Sequence, residues 1–201
     1  MTSLQHLHRF AGGFDAAAFR AINGAPHPAV LNAIMLLATL YATGEAQVGI
    51  SLGFITLGLL ADRTDARRAG CAGLIALSLS AIAVDLAKRI GDRPRPLLQL
   101  HHVNIVSEKL FTQSFPSGHA STAFAVAFAY SAFLPKLRVP LLVLAFLAAL
   151  SRVYIGVHFP LDTVYGALMG TAIAIASAWI VGMRRGESEK TELTGEVPTA
   201  G

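Results

Sequence analysis

Apolar residues run in long blocks along this chain, neither alternating as in a half-buried strand nor falling in the one-sided stripe of a soluble helix. The blocks cover roughly 28–43, 46–61, 69–87, 117–134, 139–157 and 161–183. Each approaches the about 20 mostly apolar residues that carry a helix across a bilayer. None shows the dyad pattern of a barrel strand. The pattern predicts an all-α polytopic membrane protein, a six-transmembrane-helix bundle whose Gly, Ala and Ser content suits close packing in lipid. The first two blocks are short, and only Gly44 and Glu45 part them, which reads as a tight reversal. Four spans with two buried or re-entrant segments is the alternative. Ahead of the blocks, residues 14–22 set Phe14, Ala17, Ala18 and Phe19 against Asp15 and Arg20. That predicts a short N-terminal interfacial helix, with a frayed terminus as the alternative.

Composition strengthens the membrane reading. Of 201 residues, 54% are hydrophobic and 14% charged, against roughly 25% charged in soluble domains. A disordered chain is excluded. With Cys71 as the one cysteine, so are a disulfide-stapled module and a cysteine-built zinc or iron–sulfur site. The chain reads as one domain over 1–183, with an N-terminal interfacial segment 1–27 and an extracytoplasmic loop 88–116. The polar, Glu-rich stretch 184–201 reads as a disordered cytoplasmic tail.

The net charge is +4. Its basic residues flank apolar blocks, so the expected partner is a lipid bilayer and not nucleic acid. Six spans put both termini on one side, together with Arg9, Arg20, Arg63, Arg67, Arg68, Lys136, Arg138, Arg184, Arg185 and Lys190. The positive-inside rule makes that side the cytoplasm of an inner (plasma) membrane. The opposite face then carries Lys88, Arg89, Arg93, Arg95, Lys109 and Arg152, too many cations for a plain outer loop.

Three short runs account for most of them. Lys88 to Pro96 closes the third block; Pro116-Ser117-Gly118-His119 opens the fourth. Ser151-Arg152 ends the fifth, and His158 and Asp162 open the sixth. Alternating spans bring all of these to one face. Lys88, Arg95 and Arg152 supply positive charge, and the arginines can fork onto phosphate oxygens. Ser117 and Gly118 stand at a helix start, where free N–H groups favour an anion. Asp162, four residues after His158, can fix the imidazole tautomer and leave the other nitrogen nucleophilic. His119 can protonate a leaving oxygen. Two histidines, an acid partner and three cations fit phosphoryl transfer. His101 and His102 are adjacent and lack zincin spacing, so no metal site and no cofactor is expected. Asp85 is free to pair with a catalytic cation or with Arg89, and Glu45 to line the site mouth or cap the second span.

These runs resemble the signature of the type 2 phosphatidic acid phosphatase family: Lys-x6-Arg-Pro, Pro-Ser-Gly-His, and Ser-Arg-x5-His-x3-Asp. Lys88, Arg95 and Pro96, then Pro116 to His119, then Ser151, Arg152, His158 and Asp162 match without departure. The resemblance implies a metal-independent phosphatase or diphosphatase with a phosphohistidine intermediate. His158 would be the nucleophile, Asp162 its orienting partner and His119 the general acid. Lys88, Arg95, Arg152, Ser117 and Gly118 would hold the phosphoryl group, with Ser151 supporting. Short length and a bare core look most like the bacterial undecaprenyl-diphosphate phosphatases, acting on a membrane lipid phosphate at a site facing the periplasm or exterior. Phosphatidic acid, phosphatidylglycerophosphate and lipid A phosphatases share the pattern. An anionic-lipid transporter is the non-enzyme alternative. Oligomeric state is not legible.

Overall fold

The computed structural model describes the backbone of residues 3–107 and 109–194, and the side chains of residues 12–107 and 109–182. Its helices are α1 (Ser3–Asn23), α2 (Ala29–Tyr41), α3 (Gly44–Leu60), α4 (Thr64–Ile90), the short α5 (Pro96–Gln99), α6 (Gly118–Phe133), α7 (Arg138–Tyr154) and α8 (Pro160–Thr194). A 3-10 turn, Pro135–Leu137, leads into α7. The described residues contain no strand. Local signals mark the starts. The Thr43 hydroxyl accepts the Ala46 N–H ahead of α3, and Ser117 accepts the Ala120 N–H ahead of α6. Pro160 occupies the first position of α8, where its missing N–H costs nothing.

The centre of the bundle is α6, which packs against α4, α7 and α8. Its Ala120, Ala123, Ala125, Ala127 and Ala129 are fully buried. Small residues let the backbones come close without an aqueous driving force. The tightest approach is to α8. A Cβ on Gly166 would fall 2.5 Å from the Ser117 carbonyl oxygen, and one on Gly170 would strike the Ser121 carbonyl.

By length and hydropathy, α4, the 135–154 segment and residues 160–182 of α8 can each cross a membrane. α6, at 16 residues, is shorter. The pair α2 and α3 passes the same test only jointly, with a bend of 65° between them. This corrects the expected tight reversal at Gly44 and Glu45. A helix of 13 residues rises about 20 Å against a hydrocarbon core of about 30 Å, so α2 cannot cross alone. The 65° bend is that of a broken span or a re-entrant pair. At the start of the pair the Tyr154 hydroxyl donates to Asn32, beside the end of α7. At its finish Gly58 abuts the backbone of Arg63 and Arg67, at the start of α4.

The N-terminal helix packs at the same end of the bundle as the α7–α8 turn. α1 lies at the bundle end where α8 starts: Asp15 accepts the Leu161 N–H at 2.9 Å, and the Phe19 ring packs 5.5 Å from Phe159. α8 then runs away from that end. Among the described residues, α1 therefore packs beside the start of α8, and α8 leads away from it. α8 also continues to Thr194, into the stretch read as a loose tail. Its Glu, Lys and Arg residues are good helix formers. Residues 195–201 lie outside the described residues.

Candidate active site

The turn between α7 and α8 builds the reactive centre. Gly156 takes φ +86° after the last turn of α7, a left-handed conformation that glycine adopts without penalty. A Cβ there would also sit 2.5 Å from the Asn104 carbonyl. The chain then folds back, and the N–H groups of Val157 and His158 donate to the Arg152 carbonyl at 3.1 and 3.2 Å. This fixes His158 over the end of its own helix. Asp162 sits in the first turn of α8, where its Oδ2 accepts the Phe159 N–H at 2.9 Å. The same oxygen accepts a short hydrogen bond from the Ser114 hydroxyl and lies 3.6 Å from His158 Nδ1.

The two ring nitrogens of His158 therefore face different surroundings. Nδ1 looks toward Asp162 and the Ser114 oxygen, the latter at 3.5 Å. Nε2 lies 3.2 Å from the guanidinium of Arg95. A guanidinium can only donate, so Nε2 carries the lone pair and Nδ1 the proton. Burial pushes the His158 imidazole down to about 4, against the opposing pull of Asp162; the charges of Arg95 and Arg152 push the same way as burial. The ring is neutral at ordinary pH, as a nucleophile must be.

The cations converge on that nitrogen. Arg95 is buried and locked by three carbonyls: Thr112 at 3.0 Å, Gln113 at 3.2 Å and Val157 at 2.8 Å. Arg152 donates to the Thr39 hydroxyl at 3.0 Å. Lys88 lies within electrostatic reach of Arg95 and Arg152. His119 lies within reach of Arg152, His158, Lys88 and Arg95. The start of α6 is tied to the same centre, because the Ser117 N–H donates to the Asp162 carbonyl at 3.0 Å. All nine residues singled out in the sequence thus gather at one end of the bundle. Ser151 stands one step behind the rest: its hydroxyl donates to the Ala148 carbonyl and pairs with Thr39 at 2.8 Å.

Four residues of this assembly carry no signal in the motifs. Ser114 and Thr39 are single hydroxyls in unremarkable stretches. Arg93 donates to Asp162 Oδ1 at 2.7 Å and to Asp15 at 2.5 Å. Asp15, on α1, is fully buried. The surplus of cations between Lys88 and Arg95 was the one hint available for Arg93. Of the two acids whose roles the sequence left open, Asp85 pairs with Arg89 at 2.9 Å, and Glu45 occupies the first turn of α3.

A family model described as PAP2 superfamily matches residues 69–186, which hold every motif residue. The chain belongs to the PAP2 superfamily. Its relatives include a Bacillus subtilis protein named undecaprenyl-diphosphatase BcrC, 32% identical over 152 residues, covering 75% of each chain. A Bacillus licheniformis protein named bacitracin transport permease protein BcrC is 33% identical over 130 residues, 63% of this chain and 64% of that one. The fold is that of a transmembrane PAP2-type phosphatidylglycerolphosphate phosphatase from Bacillus subtilis, with a TM-score of 0.71 at 23% identity, covering 90% of this chain and 87% of that one. As a member of this superfamily with apolar helices long enough to cross a membrane, the chain is a phosphatase and an integral membrane protein.

Proposed function

We propose that this PAP2 protein removes the terminal phosphate of a lipid diphosphate, converting undecaprenyl diphosphate to undecaprenyl phosphate through a phosphohistidine. The observation that carries the mechanism is the division of His158: Nε2 turned to the Arg95 guanidinium, Nδ1 turned to Asp162 and Ser114. The name of the Bacillus subtilis relative supports the choice of lipid.

In this mechanism the terminal phosphate lies among Lys88, Arg95, Arg152 and the N–H groups at the start of α6, which offset charge on its equatorial oxygens. His158 Nε2 attacks phosphorus, and the bond to the bridging oxygen breaks. His119 gives that oxygen its proton. Asp162 stabilises the positive charge that grows on His158. Water then attacks the phosphohistidine and yields a proton to His119. The P–N bond breaks, and inorganic phosphate leaves.

The site faces the periplasm or exterior, because Arg63, Arg67, Arg68, Lys136 and Arg138 cluster at the other end of the bundle. Counting α2 with α3 as one traverse, the chain makes five crossings, not six. α1 then rests on the outer face and α8 ends in the cytoplasm.

The test is phosphate release by purified protein in detergent with EDTA, comparing an isoprenyl diphosphate, phosphatidic acid and phosphatidylglycerophosphate. Preference for the isoprenyl diphosphate is expected. Preference for a glycerolipid keeps the mechanism and overturns the substrate. The relative named a transport permease makes lipid movement without phosphate release the outcome that would sink the enzyme reading.

A further inference from the structure

We propose that Asp15 and Arg93 are positioning residues for this reaction: Asp15 on α1 fixes Arg93, and Arg93 fixes the Asp162 carboxylate behind the nucleophile. The inference rests on the phosphatase reading above and concerns two residues outside the motifs that suggested it.

The carboxylate of Asp162 is divided between two tasks. Oδ2 takes the Ser114 hydroxyl and the Phe159 N–H, and it is the oxygen nearer His158. Oδ1 takes Arg93 at 2.7 Å. A carboxylate with one strong donor on each oxygen has its rotation fixed, so Arg93 decides which oxygen the imidazole meets. The guanidinium also brings a positive charge to this carboxylate. It balances part of the charge on Asp162, which is fully buried. Without it the carboxylate would be free to turn and the buried charge less compensated.

Arg93 is itself held from two sides. Asp15 Oδ2 accepts its other terminal nitrogen at 2.5 Å. Its guanidinium carbon lies 4.2 Å from the centre of the Phe159 ring, a cation–π seat that sets its plane. Asp15 uses its remaining oxygen on the Leu161 N–H, one of the unpaired donors at the start of α8. Because Pro160 has no N–H, Asp15 and Asp162 between them satisfy the Phe159 and Leu161 donors of that turn. Phe19, four residues after Asp15 and on the same face of α1, packs on Phe159. α1 thus grips the turn that carries His158 and Asp162 directly by a helix cap and a ring contact, and through Arg93 by a carboxylate–guanidinium pair.

The experiment is steady-state phosphate release in detergent by wild type, His158→Ala, Asp15→Asn, Arg93→Ala, Arg93→Lys, Asp162→Asn, and the doubles Arg93→Ala/Asp162→Asn and Asp15→Asn/Arg93→Ala. Thermal melts run alongside. Arg93→Ala should lower kcat by about 10- to 100-fold with KM changed less than about twofold, as loss of a partner that orients a reacting histidine does. Arg93→Lys should recover part of that loss. The Arg93→Ala cost should nearly vanish in the Asp162→Asn background, because the two act through one contact. Asp15→Asn, a change of one atom, should lower kcat by about tenfold and add nothing to Arg93→Ala.

Equal loss from Arg93→Ala with and without Asp162→Asn would overturn the proposal, since a merely structural role acts alike in both. So would a rise in KM at constant kcat. If Arg93→Ala melts too low to assay, Asp15→Asn decides: a normal melt with wild-type kcat overturns the proposal. Failure of the underlying reading looks different, because wild type itself would then release no phosphate.

Discussion

The two ends of the bundle use the same residue types to opposite effect. At one end Arg63 and Asp65 form an ion pair at 2.7 Å, with their side chains 61% and 40% exposed. At the other, Arg93 and Asp162 pair at the same distance, 26% and 0% exposed. Water screens the first pair, and its two long side chains give up conformational freedom to meet. The second pair is shielded, and each atom of its carboxylate has an assigned partner. A contact distance alone does not separate them. Burial and the identity of the next neighbour do: solvent beyond Asp65, a histidine beyond Asp162.

That contrast can be broken or sharpened by experiment. The largest effect belongs to His158→Ala, which removes the atom proposed to bond to phosphorus. Turnover should fall to background in a phosphate-release assay, and measurable release would end the phosphohistidine reading. Asp162→Asn should follow, with kcat down by about 100-fold or more, since a neutral amide cannot stabilise the imidazolium. A circular-dichroism spectrum like that of wild type would show that the loss is chemical.

The pH profile tests the same end more gently. In the proposed mechanism His158 attacks as the neutral ring, and burial pushes its imidazole down to about 4, below the ordinary imidazole value of 6.5. Activity should therefore hold as pH falls through 6.5 and be lost only near 4, read as the acid limb of kcat/KM. An acid limb at 6.5 would mean that His158 is not shielded as the geometry has it. Burial of the neutral ring also makes the folded state less stable as pH falls from 6.5 toward 4, because the unfolded chain then binds the extra proton. Smaller still is the effect of Arg63→Ala at the opposite end. It should leave the melting temperature and kcat unchanged within error; a clear loss of either would show that exposure does not rank these pairs.

Much of the active end was legible in the sequence, because its motifs are local. Ser117 and His119 are two residues apart, and His158 and Asp162 span one helical turn, so short-range geometry nearly fixes their relations. The arginine clamp was not legible. Asp15 and Arg93 are 78 residues apart, and neither spacing nor periodicity points from one to the other. α1 read as a membrane-surface element because Asp15 looked like part of its polar face, although the structure buries that carboxylate completely. The number of spans was less legible than the motifs. Gly44 and Glu45 punctuate the chain equally well for a bend or a reversal, and the local residues do not choose. Helix length favours the bend: the 13-residue α2 rises about 20 Å, short of about 30 Å of hydrocarbon.

The turn at the head of α8 has a further consequence. The oxygen that accepts the Phe159 N–H is also the oxygen that faces the histidine. Beginning the helix and preparing the nucleophile are therefore one event, served by one atom. A change that loosens that cap is expected to loosen the histidine with it, so protection of the Phe159 amide from hydrogen exchange and kcat should fall together across a series of variants in this turn.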